Sequence, residues 1–228
     1  MYDESHPERA PEMRNGRQQS ILQAAERLFA DHGFHAVTLR QIADAADVPL
    51  ALVGYYFGRK NDLFQAIFRH RRHWHLERLN AIDEARRQVN RKEGLVRLVE
   101  AFVLPLLRLK QGGETRPYAR LLAREILIGS NAPDHPLREG FDPLVQRFMD
   151  ALHVLHPQAT SNGLAWASQF TLGAVALHLR DEHIERMSQG RVRHGDSSAP
   201  ERLVRYLVGG LQHTLAMQRD AAAPQQTA

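Results

Sequence analysis

Thr38-Leu39-Arg40-Gln41-Ile42-Ala43-Asp44-Ala45-Ala46-Asp47-Val48-Pro49-Leu50-Ala51-Leu52-Val53-Gly54-Tyr55-Tyr56-Phe57-Gly58-Arg59-Lys60 is the stretch whose reading decides the fold. Its first four residues form a capping box: the Thr hydroxyl accepts the third backbone N–H of a helix while Gln reaches back. A short helix is predicted over 39–46, with Ile42 and Ala43 inward. Asp47-Val48 makes a tight corner, and Pro49, its φ already set, suits the first turn of another helix over 50–56 that Gly58 breaks. Upstream, Ile21, Leu22, Ala25, Leu28 and Phe29 share one face of a helix predicted over 17–32, which Gly33 ends. Downstream, Lys60-Asn61-Asp62 opens a long helix predicted to pass Trp74 and reach about Asn90.

The spacing stays helical nearly to the end, with no sustained period-two run of β-branched residues, so the fold class is all-α. Further helices are predicted over 92–110, with Pro105 inside, and over 116–128, 137–156 and 161–189. A helix-interior proline frees a carbonyl and kinks the rod, often where a cavity opens. Residues 129–136 and 190–200 read as loops. A second capping box, Ser198-Ala199-Pro200-Glu201, starts a last helix that runs to about Met217.

The absence of cysteine removes disulfides and thiolate chemistry. No stretch approaches the roughly 18 apolar residues of a membrane span, and residues 1–15 are polar rather than signal-like, so a cytoplasmic protein without membrane partners is expected. The net charge of +4 is concentrated early: residues 14–78 hold ten Lys and Arg against six Asp and Glu. Such a footprint suits nucleic acid, although a solvated basic helix face gives the same count.

Three short helices before a long one, with a capped second helix and a proline-started third, form a helix-turn-helix layout. Thr38 lies at a helix N-terminus, where free N–H groups favour a phosphate, and Lys60 stands likewise at the start of the fourth helix. The third helix offers small and aromatic groups, Leu50, Ala51, Gly54, Tyr55 and Tyr56, and holds no Arg, Asn or Gln. Small residues let a backbone sink into the major groove and meet thymine methyls, while Tyr hydroxyls reach phosphates at its edge. The plainer roles stay open: a cap for Thr38, a core ring for one Tyr, a solvated ammonium for Lys60.

At these residues the sequence resembles the tetracycline-repressor-like (TetR) family of transcriptional regulators. The matching run is Ile21 to Phe34, then Thr38-Leu39-Arg40-Gln41-Ile42-Ala43 and Val48, and finally Tyr55-Tyr56-Phe57-Gly58-Arg59-Lys60 with Leu63-Phe64. The family commonly has His where Tyr56 stands; either side chain can donate to a phosphate. The resemblance implies a DNA-binding domain over 14–75 and a larger helical effector-binding and dimerisation domain over 76–219, with flexible tails at 1–13 and 220–228. It implies a ligand-responsive regulator, in the repressor sense, that binds a palindromic duplex operator as a homodimer. Backbone contacts fall to Thr38, Tyr55, Tyr56 and Lys60, and base-edge approach to Leu50, Ala51 and Arg40.

In the larger domain, Phe102, Leu106, Trp166 and Phe170 with the kink at Pro105 are candidate pocket residues, although apolar residues at helical spacing are usually core. A loose likeness to members that respond to apolar molecules implies a small apolar or amphipathic effector with its polar group near Arg124 or Arg120. Two apolar stripes, Phe170, Ala174 and Leu177 on one helix and Leu203, Leu207 and Leu211 on the next, are candidates for a four-helix dimer interface, or else complete the subunit's own core. His70, His73 and His75 lack a partner set for a metal. The motifs of common nucleotide-binding and hydrolytic sites are missing, so neither a catalytic residue nor a cofactor is assigned. An all-α enzyme or a DNA-independent interaction module remains the alternative.

Overall fold

A computed structural model describes residues 9–87, 91–129, 134–180, 183–193 and 195–216, and its regular elements are helices. The head comprises α1 (Arg9–His32), α2 (Leu39–Ala45), α3 (Leu50–Phe57) and α4 (Lys60–His70). The body comprises α5 (Arg72–Arg86), α6 (Arg91–Gln111), α7 (Arg116–Ile128), α8 (Leu137–Gly140), α9 (Asp142–Leu155), α10 (Ser161–Arg180), α11 (Ile184–Met187) and α12 (Ala199–Ala216). None of the described helices is long and apolar enough to cross a membrane.

Four boundaries depart from the sequence expectation. The first helix starts at Arg9 rather than 17, so part of the expected N-terminal tail is helical. Pro11 falls in its first turn, where the missing N–H has no helical acceptor to lose. The expected fourth helix is broken at Arg71, whose φ of −89° and ψ of 3° lie in the bridge region between α4 and α5. The expected 137–156 helix is broken at Phe141, two residues before Pro143, which has no N–H to give back to the preceding turn. The expected 161–189 helix ends by Arg180, and Gln189 and Gly190 have left-handed φ values of 54° and 77°. The predicted helix ends at Asn90 and Met217, and the 220–228 tail, lie outside the described residues.

At the start of α12 the second capping box is replaced by a different arrangement. The Ser198 backbone N–H and hydroxyl both donate to Asp196 Oδ1 at 2.8 Å, and Glu201 pairs forward with Arg205 at 2.6 Å.

One apolar core runs through both parts. Ile21, Phe29, Ile42, Val53 and Leu63 fill the head, and Leu98, Phe102, Leu122, Phe148 and Leu152 the body. Rings bridge the two: Phe34 packs on Phe64 at 4.9 Å, Phe64 on Phe68 at 5.4 Å, and Phe68 on Tyr118 of α7 at 5.8 Å. Gly33 ends α1 with φ 84°, a backbone conformation that favours glycine, and the Arg124 guanidinium of α7 packs directly against it.

Polar groups close the seam. Arg71 grips Glu26 of α1 through two hydrogen bonds of 3.0 and 3.1 Å, both side chains being largely buried. Arg120 of α7 pairs with Asp31 at 2.7 Å, and Asn61 of α4 donates to Asp134 at 3.0 Å. Burial raises the Glu26 pKa against the opposing pull of Arg71. Removing one member of a buried pair typically costs about 3–5 kcal/mol. Arg71→Ala is therefore expected to lower unfolding free energy in urea by about that amount, whereas Arg205→Ala, on an exposed pair, shifts it by under about 1 kcal/mol.

Candidate nucleic-acid interface and interior cavity

The capping box at α2 is formed. Gln41 N donates to Thr38 Oγ1 at 3.3 Å and Thr38 N donates to Gln41 Oε1 at 2.8 Å. Thr38 is exposed, so one geometry serves both the cap and an approaching anion. The chain then turns at Asp47, whose φ of 52° is tolerable for an Asp, and Val48 N closes the corner on Ala43 O at 3.0 Å. Pro49 is the N-cap of α3, one position earlier than the first helical turn expected for it.

Val53 is fully buried and anchors α3. That single inward residue leaves the opposite face free: Leu50, Ala51 and Gly54 are exposed, and Tyr55 is 75% exposed. Tyr56 is half-buried, its ring 5.4 Å from that of Tyr55, and Phe57 packs half-buried against the core. Arg40 is exposed on α2 beside this face.

Lys60 occupies a different environment from a free surface lysine. Its Nζ donates to Phe34 O and Val37 O, both at 2.9 Å, and lies 4.5 Å from the centre of the Phe34 ring. The ammonium thus ties the α1–α2 loop to the start of α4 and holds Thr38 in place, with one hydrogen left for any outside acceptor.

In the body, the five candidate pocket residues fall in three places. Phe102 and Leu106 are fully buried, with Phe102 stacked on Phe148 at 4.4 Å, so they are core. Arg124 lies at the seam against Gly33, and Arg120 is paired with Asp31 beside it. Trp166 and Phe170 stand outside, 55% and 60% exposed, on a groove of about 1440 Å³ between α10, α12 and residues 183–196. Helical spacing singled out the four apolar candidates, but which face turns inward depends on the neighbours.

The candidate dimer stripes divide in the same way. Leu207 and Leu211 are buried within the subunit, completing its own core. Phe170 and Leu177 are exposed, Ala174 and Leu203 half-buried, and all four line the groove. Tyr206, which the stripe analysis missed because it lies off the Leu203–Leu207 line, is 72% exposed there too.

A second cavity, about 240 Å³, opens beside Pro105 between α5, α6 and α7. Its walls include Trp74, His75, Arg78, Leu109 and Tyr118. His75 Nε2 lies 2.9 Å from the Tyr118 hydroxyl, and Arg78 Nη2 donates to Phe102 O at 2.9 Å. The sequence analysis did not single out Arg78, although a signal was present. His75, Arg78, Ile82 and Ala85 repeat every three or four residues on the buried side of α5, and an arginine in such a row is unusual. Among the described residues no three His, Asp or Glu side chains gather as a metal site would need.

A capped second helix, a corner at Asp47 and a third helix held by one buried valine define a helix-turn-helix protein. Two family models match. Residues 21–67 match the bacterial regulatory proteins of the tetR family, and residues 100–210 match the tetracyclin repressor-like C-terminal domain. The chain belongs to the TetR family of regulatory proteins. It is 32% identical over 91 residues to the HTH-type transcriptional regulator HbdR of Aromatoleum sp., covering 40% of this chain and 35% of that protein. It is 38% identical over 55 residues to the HTH-type transcriptional repressor AcnR of Corynebacterium glutamicum, covering 24% and 29%. These matches span about a third of the relatives' length. A TetR-family transcriptional regulator from Bordetella parapertussis shares the fold at TM-score 0.61 and 16% identity, covering 85% of this chain and 93% of that one.

Burial, and then the nearby Arg78, push the His75 pKa down to about 4. Below about pH 6.5 the unfolded chain protonates this ring while the folded chain does not until about pH 4, so stability falls as pH drops through that window. The contribution is up to about 3 kcal/mol. Urea unfolding at about pH 7 and about pH 4.5 should show His75→Gln losing less stability between the two than the native chain.

Proposed function

We propose that the chain is a DNA-binding transcriptional regulator, in the repressor sense, that acts as a homodimer on a palindromic operator and responds to a small ligand in its body. The observation that carries this reading is the outward face of α3, Leu50, Ala51, Gly54 and Tyr55, presented beside the exposed N-cap Thr38. With α3 in the major groove, Leu50 and Ala51 meet base edges and Arg40 lies alongside. Thr38, Tyr55 and Tyr56 then face the flanking phosphates. Lys60 acts chiefly by fixing the loop that positions Thr38, with its remaining hydrogen available to a phosphate.

Dimerisation uses the exposed row Trp166, Phe170 and Leu177 on α10 with Tyr206 on α12, an apolar surface that a lone subunit would leave in water. Two heads held about one helical turn apart, roughly 34 Å, reach successive major grooves. A ligand that favours another head separation lowers DNA affinity by its differential binding to the two states. The break at Arg71 and the ring contacts from Phe68 to Tyr118 join head and body at the place where such a change would pass.

Selection of bound fragments from genomic DNA at defined salt tests the reading. Retention of a palindromic class is expected; failure to retain any duplex at low ionic strength would overturn it in favour of an interaction module or an enzyme. On the selected operator, Tyr55→Ala should weaken binding about tenfold with unfolding free energy unchanged. Lys60→Ala should weaken binding and also cost about 1–3 kcal/mol of stability, because two carbonyls lose their donor. Phe170→Glu should shift the molar mass from light scattering to that of a monomer; an unchanged dimer would remove α10 from the interface.

A further inference from the structure

The 240 Å³ cavity contains a buried cation that lacks an anionic partner. Arg78 is 4% exposed, and burial lowers its pKa to about 10, which still leaves it charged at neutral pH. Its described contacts are the Phe102 carbonyl and the faces of Phe102 and Phe141, at 5.3 and 5.8 Å. Its Nε has no hydrogen-bond partner, and neither does the buried His75 Nδ1. Arg71, seven residues earlier at the same seam, has a carboxylate bound through two hydrogen bonds. A desolvated guanidinium without a counter-ion costs several kcal/mol, which ring faces and one carbonyl offset only in part.

We propose that this cavity binds a small organic monocarboxylate, with the carboxylate on the Arg78 guanidinium and the apolar body against Trp74, Ala81, Pro105 and Leu109. The inference rests on the regulator reading and names the ligand class of its body. In the tautomer in which the Tyr118 hydroxyl donates to His75 Nε2, Nδ1 carries a hydrogen, so Arg78 and His75 each hold a buried donor without an acceptor, and both residues line this cavity, where a guanidinium suits a carboxylate. The other charged groups lining it, Glu77 and Arg108, are exposed and offset each other.

Size narrows the class. A cavity of ~150 Å³ accepts benzene, so about 240 Å³ accepts one ring or a short alkyl chain bearing a carboxylate, whereas a long acyl chain or a coenzyme A thioester exceeds it. The position also fits a signal. Arg78 and His75 lie on α5 just past the Arg71 break, and Tyr118 touches both His75 and Phe68 of α4. A ligand ordering the Tyr118–His75 pair therefore acts on the helix that carries the head.

Calorimetry and thermal unfolding of the full chain with benzoate and hexanoate, against benzamide and hexanamide, test this. At least one carboxylate should bind and raise the melting temperature while its amide does not. Arg78→Met should weaken that binding about tenfold or more without lowering the melting temperature of the ligand-free protein. Arg108→Ala should keep the binding. Equal binding of acid and amide, carboxylate binding unaffected by Arg78→Met, or no stabilisation by either acid at millimolar concentration would overturn the proposal. Should Arg78→Met fail to fold, the acid-against-amide comparison on the native chain decides alone. Duplex retention is measured on the same samples: DNA binding by a protein that binds neither acid sinks this inference and leaves the regulator reading, whereas failure of the ligand-free protein to hold any duplex at low salt sinks the reading itself.

Discussion

Arg71 closes α4 with its N–H still on Ile67 O and puts its guanidinium on Glu26 of α1, a buried charge pair that ties the head to the body. Without the pair, the largely buried Glu26 carboxylate would lose its principal partner. The helical run breaks at Arg71, where two groups of helices meet, and the rings of Phe64, Phe68 and Tyr118 close over the junction. The pair itself adds little net stability, since desolvation consumes most of its attraction; its effect is to make other arrangements expensive, because either charge alone would be stranded.

The same economy governs the head. Val53 is the one fully buried side chain of α3, so the orientation of that helix depends on a single valine, its two turns and the caps on either side. A short helix is marginal by itself and owes its persistence to packing and caps. The Lys60 ammonium contributes from below by fixing the carbonyls of Phe34 and Val37. A DNA-facing element held this lightly from one side keeps its other side free of intramolecular obligations, and Leu50, Ala51, Gly54 and Tyr55 occupy that side.

Two arginines near one junction divide the work. Arg71 is paired within the chain and acts as a fastener; Arg78 is desolvated, and its Nε has no hydrogen-bond partner. The groove of α10 and α12 differs from both, being broad, open and largely apolar, with Trp166, Phe170 and Tyr206 turned outward. Head, interior cavity and outer groove therefore offer different surfaces: exposed helix ends, a buried guanidinium and exposed rings.

Much of this was legible along the chain. Helical period, the Thr38 box, the proline before α3 and Gly33 are local features, set by backbone geometry and hydrogen bonding within a few residues, and the all-helical class with its outward third helix follows from them. The breaks at Arg71 and Phe141, the core burial of Phe102 and Leu106 and the exposure of Trp166 and Phe170 were settled elsewhere. A helix's apolar face says that something must cover it, but not which neighbour does so or whether that neighbour belongs to the same chain. Glu26 lies forty-five residues from Arg71, and Tyr118 forty-three from His75. Such partners are chosen by how helices pack, so the sequence alone determined most of the elements and the cap and corner that lead into α3, while tertiary structure decided which charges are paired, which arginine lines the interior cavity, and which apolar stripe is left in water.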